Sequence, residues 1–439
     1  LGQLDQTWSE QLGDEGAVAV GETTRYAVSP VVIATWEGLA REIGWPDRSV
    51  GWQDLLARAQ TDPNFRWSHP STSSASGLLA TLAEFYAGAG KTRGLTIDDV
   101  MADETLEYVA QLENTVRYYG EGNETAIIER ALEEGRGFLD AFVVQVQMVV
   151  YFNRFRQAEQ ERLVALYPVE GTLWEDHPLA LLETTDLSPY HRQVFAEFRD
   201  FLLSPEAQQL ILEHGYRPAD LSISPDGPAS PLTDANGVDP TEPKTTLQIP
   251  NSSVIRVVRD AWWYTKRHTN VYLVVDTSGS MRGQKLAQAQ MALRVFLDQI
   301  LGDLERVGLI QFSSRVSTVV PLGELQHNRD VLEWEIYHLE AAGDTALLDG
   351  VYEAYRQLQA LGDTERINAI VVMTDGLENN SRTSLRSLVR ELSSDSTVPV
   401  VVFSIAYGDD ADMRTLQAIS EPTGGHVREG DLETIQDLY

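Results

Sequence analysis

Val271-Tyr272-Leu273-Val274-Val275 is an unbroken apolar run that ends on Asp276-Thr277-Ser278-Gly279-Ser280. Nothing else in the chain restricts its fold as sharply. A short run rich in β-branched and aromatic residues reads as a strand buried on both faces. Open parallel sheets gather their ligands at the carboxyl ends of such strands. Asp276, Ser278 and Ser280 thus put one carboxylate and two hydroxyls on a single turn, where Gly279 lets the backbone leave extended geometry. Oxygen donors without Cys or His suit a hard cation, Mg2+, Mn2+ or Ca2+, better than zinc. A strand-to-helix turn whose serines only cap the helix would use the same residues, so the turn alone does not decide.

The following residues do. Leu286, Ala289, Leu293, Phe296 and Ile300 recur at three- and four-residue steps, one face of an amphipathic helix. Residues 307–312 and 316–320 read as an edge hairpin. A helix over 347–361, a strand over 367–373, a helix over 385–392 and a strand over 398–406 continue the alternation. That order predicts an α/β, doubly wound, mostly parallel sheet with helices on both faces. Asp375 follows residues 367–373 as a second carboxylate at a strand's end, and Thr345, in Gly343-Asp344-Thr345, adds a third hydroxyl.

With Met281 completing Asp-Thr-Ser-Gly-Ser-Met, this set resembles the metal-ion-dependent adhesion site of von Willebrand factor type A domains, over residues 269–439. The resemblance implies a Rossmann-like fold in which Asp276, Ser278, Ser280, Thr345 and Asp375 hold one divalent cation, Mg2+ by preference. It also implies a protein partner whose Asp or Glu completes the coordination, as for the integrin inserted domain.

Residues 1–268 need a different account. Residues 27–36 read as an apolar strand broken by Ser29-Pro30, and residues 53–59 as an amphipathic helix. His69-Pro70-Ser71-Thr72-Ser73-Ser74-Ala75-Ser76-Gly77 leads into a helical run over 78–86. Hydroxyls ahead of a helix cap it, and the exposed N–H groups there can hold an anion or polar ligand. Ser73, Ser74 and Ser76 are candidate ligand contacts on that ground, an ordinary serine cap being the plainer alternative. A strand over 163–168, a helix over 193–203 and a helix start at Ser204-Pro205-Glu206-Ala207-Gln208 follow.

Ser29-Pro30, the Ser-rich turn, Asp140-Ala141, residues 201–208 and Gly215-Tyr216-Arg217-Pro218, taken in order, resemble two-lobed, type II bacterial extracellular solute-binding proteins. That resemblance implies a small solute held between two lobes, with Ser73, Ser74 and Ser76 facing the cleft. Only some 25 residues precede the strand at residue 27, so part of the first lobe is expected to be missing. Residues 225–243, rich in Pro, Asp, Gly and Ser, read as a linker or long surface loop. Residues 252–267 carry a helical apolar face expected to dock on the first lobe, which puts the domain boundary at 268/269.

Composition limits the function. A formal net charge of -32, spread over both halves, excludes nucleic acid as a natural partner. No cysteine is present, hence no disulfide framework, thiolate metal site or catalytic thiol. No apolar run is long enough to cross a membrane. The chain begins with Leu1, and a signal or membrane anchor is expected to have been removed upstream; residues 432–439 read as a helix cut short.

These features predict an extracellular or cell-surface binding protein that captures a carboxylate-bearing partner through its metal. The alternative is a substrate-binding receptor for a membrane transporter, with the type A domain as an accessory. An enzyme is not expected. Ser278 stands where haloacid-dehalogenase-like phosphatases need a second carboxylate, and no phosphate loop, His-Glu-x-x-His or Gly-x-Ser-x-Gly occurs. A chaperone-like role beside an ATPase has no specific support in the residues.

Overall fold

The computed structural model describes residues 20–429, apart from 118, 120–123, 184–185, 301, 376–377, 394–397 and 409–410. The expected helix at 432–439 lies outside the described residues. The chain divides into two compact units, Leu1–Thr265 and Lys266–Tyr439, three residues before the boundary expected from sequence.

The N-terminal unit is organised by one long strand, β1 (Val20–Trp36). Seventeen residues of strand extend roughly 55 Å at the usual rise. Its second half, Val31 to Trp36, pairs antiparallel with β3 (Ala141–Gln145) on one side and β4 (Leu163–Leu166) on the other. β2 (Trp67–Ser68) extends this larger sheet alongside β3. The first half of β1 pairs instead with β5 (Trp174–Leu182) and briefly with β6 (Arg217–Pro218). Ser29-Pro30 therefore does not break the strand. Pro30 is the last residue paired with β5, and Val31 the first paired with β3. A missing N–H is tolerated where one ladder hands over to the next.

Helices cover the larger sheet: α1 (Glu37–Glu42), α2 (Trp52–Thr61), α3 (Ala75–Gly88), α4 (Ile97–Val100), α5 (Asp103–Glu113), α6 (Glu124–Glu134) and α7 (Val146–Phe155). The apolar stretch 142–152 is divided, since β3 ends at Gln145 and α7 starts at Val146. The core joins Val32, Ala34 and Trp36 of β1 to Phe142 and Val144 of β3 and Phe85 of α3, all at most 1% exposed. α8 (Pro189–Leu202) and α9 (Pro205–Glu213) accompany the β5–β6 side, each opened by a capping serine followed by proline. α10 (Ser252–Thr265) packs on α3, α4 and α5. It thus docks on the larger lobe, which follows β1, and not on the first lobe as expected; Val258 and Trp262 find their apolar partners there.

The C-terminal unit is a six-stranded sheet in the order β12-β11-β10-β7-β8-β9. Its strands are β7 (Thr269–Asp276), β8 (Arg306–Phe312), β9 (Val316–Glu324), β10 (Ile367–Thr374), β11 (Val400–Ala406) and β12 (Val427–Glu429). All neighbours run parallel except β9, which is antiparallel to β8. Alternation along β7 sorts the cores. Val271, Leu273 and Val275 face α11 (Gln284–Gln299) and α12 (Leu325–Tyr337). Tyr272 and Val274 face α13 (Leu347–Leu361), α14 (Leu385–Leu392) and α15 (Met413–Ser420). The unit is doubly wound, and β7 is its topological switch point: the chain leaves it to β8 on one side and reaches β10 on the other.

Candidate metal centre at the switch point

β7 and β10 are adjacent and in register, Val275 opposite Met373, so their carboxyl ends emerge together. Asp276 and Asp375 are both 0% exposed there. Asp276 Oδ1 accepts the Ser278 N–H at 2.7 Å, and Oδ2 accepts the Thr374 hydroxyl at 2.5 Å. These two bonds fix the carboxylate and curl the turn so that residues 276, 278 and 280 converge. Ser278 Oγ lies 2.9 Å from Ser280 Oγ, which in turn donates to Asp375 Oδ1 at 2.9 Å. Ser278 is buried and Ser280 exposed, so the site opens outward through Ser280.

Backbone bonds lock three loops into one floor. Gly279 N–H donates to the Gly343 carbonyl at 2.9 Å, and Ala342 N–H to that of Thr277 at 2.8 Å. Thr345 N–H donates to Asn379 Oδ1 at 2.9 Å, while its carbonyl accepts the N–H groups of Asn379 and Asn380 at 3.1 Å. Thr345, 2% exposed, is thereby tied to the loop after β10. Gly343 takes φ of 89°, a region that suits glycine, and a Cβ there would meet Ser314 Oγ at 2.6 Å.

Burial pushes the Asp276 carboxyl above its usual range; hydrogen bonds from Ser278 and Thr374 oppose this, while the Asp375 charge adds to it. Lys285, in the first turn of α11, reaches Asp375 Oδ2 at 3.0 Å. Two carboxylates and three hydroxyls with no nitrogen or sulfur donor fit a hard divalent ion. Lys285, Thr374 and Asn379 were not singled out by sequence. Lys285 sits nine residues beyond Asp276, in the first turn of the helix that follows, and meets Asp375 from the other strand end.

The Ser-rich turn of the N-terminal unit distributes its hydroxyls. Ser74 caps α3, accepting the Gly77 N–H at 3.1 Å, and Ser73 is exposed, 2.5 Å from Ser71 Oγ. Ser76 is buried and donates to Glu175 Oε2 at 3.0 Å. Near it lies a polar seam where β1 changes partners. His177 Nε2 and Gln147 Nε2 both approach Gln145 Oε1, at 2.8 and 2.9 Å, and Ser29 donates to Gln147. Glu124, whose Oε1 accepts the Gln145 N–H, is pushed up to about 7, chiefly by burial.

Comparison with known proteins agrees with this division. Residues 270–439 match the family model of the von Willebrand factor type A domain, and residues 4–217 that of the bacterial extracellular solute-binding protein. Among curated relatives, inter-alpha-trypsin inhibitor heavy chain H4 of Bos taurus is 28% identical over 166 residues, covering 36% of this chain and 18% of its own length. The uncharacterized protein sll0103 of Synechocystis is 29% identical over 159 residues, 36% of each chain. The chain thus spans about a fifth to a third of these relatives. Among solved structures, a von Willebrand factor type A protein from Catenulispora acidiphila aligns at 22% identity over 39% of this chain and 41% of its own, with a TM-score of 0.34. Proximal thread matrix protein 1 of the mussel byssus, with a zinc-occupied MIDAS motif, aligns at 17% identity over 43% of this chain and 50% of its own, also with a TM-score of 0.34. The two family matches divide the chain into residues 4–217, which match the bacterial extracellular solute-binding protein family, and a von Willebrand factor type A domain over residues 270–439.

Proposed function

We propose that the chain is an exported or cell-surface binding protein whose type A domain captures a carboxylate-bearing protein partner through a divalent cation, Mg2+ by preference. Asp276, Ser278, Ser280, Thr345 and Asp375 would hold the ion, which supplies a coordination position for the partner's Asp or Glu. The observation that carries this reading is the chain of contacts from Asp276 through Ser278 and Ser280 to Asp375, at the switch point of a doubly wound sheet. Thr374 and the Ser278 N–H hold Asp276 in place, so its carboxylate needs no reorganisation to receive an ion. No helix among the described residues is long and apolar enough to cross a membrane.

Calorimetric titration with Mg2+ and Mn2+ tests the site. Asp276→Ala is expected to abolish the heat seen for the parent, and equal binding by both would remove the assignment. Partner capture is then expected to fail both with chelator and in Asp375→Ala. Capture that survives both would favour the second reading, a substrate-binding receptor for a transporter. That reading draws on the solute-binding match and on the polar seam around Gln145, with Ser76 as the one buried serine of the three candidates.

A further inference from the structure

His69, Glu84 and Glu113 meet inside the larger lobe of the N-terminal unit, and none has a part in the sites above. His69 follows β2, Glu84 lies within α3 and Glu113 ends α5. All three are 0% exposed. One ligand atom from each lies within 4.8 Å of the others. His69 Nε2 is 3.3 Å from Glu113 Oε2 and 3.9 Å from Glu84 Oε1.

Most hydrogen bonds around this cluster run outward; the exception joins His69 Nε2 to Glu113 Oε2 at 3.3 Å. His69 Nδ1 lies 2.8 Å from the Pro70 carbonyl oxygen, which can only accept, so Nδ1 carries a proton and Nε2 faces the carboxylates. Glu113 accepts the Trp262 indole N–H at 2.6 Å on Oε1 and the Tyr119 hydroxyl at 2.7 Å on Oε2. Neither oxygen of Glu84 has a hydrogen-bond partner among the described residues. Two carboxyl groups and an imidazole thus meet in a space that solvent does not reach, and such groups need a proton or a cation among them. Burial, with the charge of Glu113 adding, holds the Glu84 carboxyl well above its usual range. Protons on Nε2 and between the two carboxyl groups are the alternative to an ion, and the metal content of the parent chain decides between them.

We propose that His69 Nε2, Glu84 and Glu113 Oε2 hold a divalent first-row transition cation, zinc by donor preference, as a structural site. Tetrahedral zinc with bonds of about 2.0–2.1 Å spaces its ligand atoms about 3.3 Å apart, which the His69–Glu113 separation already meets. Glu84, with both oxygens available, can complete a four-donor set. The outward bonds to Pro70, Tyr119 and Trp262 orient the ligands, as second partners do in metal sites. Trp67 stacks on the His69 ring at 5.7 Å between centroids, and Tyr119 meets it edge-on at 5.3 Å. The ion would clasp the exit of β2 to α3 and α5. A nitrogen donor sets the site apart from the all-oxygen centre of the type A domain.

Elemental analysis of the untagged full chain tests this, after growth in zinc-supplemented medium and dialysis against metal-free buffer. About one zinc per chain is expected to survive in the parent, as for closed structural sites. The same content is expected in Asp276→Ala, in which the type A centre is disabled. Glu84→Gln, with a folded state verified by circular dichroism, is expected to retain at least about tenfold less. Zinc-free parent protein overturns the proposal without reference to any variant. Zinc lost from Asp276→Ala but kept in Glu84→Gln also overturns it, because the ion then belongs to the type A centre.

Discussion

Glu305 offers the sharpest test of how the C-terminal unit is held together. Its carboxylate is 0% exposed and lies 3.1 Å from Lys266 Nζ and 3.0 Å from His268 Nδ1, and it accepts the Thr269 N–H at 2.6 Å. These contacts anchor the first residues of β7. Burial alone would raise the carboxyl; Lys266, His268 and Thr269 outweigh it and bring it from 4.5 down to about 2. A depressed carboxylate stabilises the folded state above its unfolded pKa, and that contribution is lost as pH falls through the folded value. The shift corresponds to about 3 kcal/mol at neutral pH, of which about 1 kcal/mol is gone by pH 3.5. Glu305→Gln removes the anion facing a buried ammonium, a change that costs about 3–5 kcal/mol. For a unit of this size it should lower the melting temperature by roughly 10 °C. Urea unfolding of parent and variant at pH 7 and pH 3.5 measures both effects. The gap between them should narrow by about 1 kcal/mol at the lower pH. A gap under about 1 kcal/mol at pH 7, or one that does not change with pH, would refute this reasoning.

Other outcomes follow from named contacts. Lys285→Met removes an ammonium 3.0 Å from Asp375 and should tighten Mg2+ binding several-fold in calorimetry, since the lysine and the ion compete for the same carboxylate. Gly77→Ala would place a Cβ 2.0 Å from the Ser71 carbonyl oxygen and 2.3 Å from that of Pro70, forcing the turn off α3. Its expected cost is about 1–3 kcal/mol in chemical denaturation. Ser74→Ala removes the cap of α3 and should cost about 1 kcal/mol by the same measurement.

The sequence made the C-terminal unit easy to read because its strands are buried on both faces. Residues 271–275 form an unbroken apolar run, residues 367–373 carry only Asn368 as a polar residue, and the ends of both strands carry the carboxylates. α12 escaped notice because only Leu325, Leu332 and Ile336 are buried, while Val331, Trp334 and Tyr337 are exposed and blur its apolar face. β9 runs on to Glu324 beyond the expected 316–320, through Pro321, which an edge strand tolerates. β5 was missed for a related reason: Trp174–Leu182 is mostly half-buried and shows no alternation. The division between β3 and α7 is invisible in a continuous apolar run, where tertiary packing decides between strand and helix. His69, Glu84 and Glu113 have no common spacing because they come from three separate elements. Their relation is a property of the packed lobe, and His69 read from sequence as merely the first residue of a serine turn.

The hand-over along β1 has a consequence for inheritance. One continuous backbone sets the phase of both ladders, Val28 opposite Asp176 on one side and Val31 opposite Gln145 on the other. Side chains alternate with period two, so a single residue gained or lost between Val28 and Val31 would turn one half of the strand inside out relative to the other. Ala34 and Trp36 would exchange places with their neighbours against Phe142 and Val144, or the outer half would lose its match to β5. Substitutions can accumulate in this segment while its length stays fixed. Across any set of descendants, gaps should collect in loops such as 225–243 and be absent from residues 28–31.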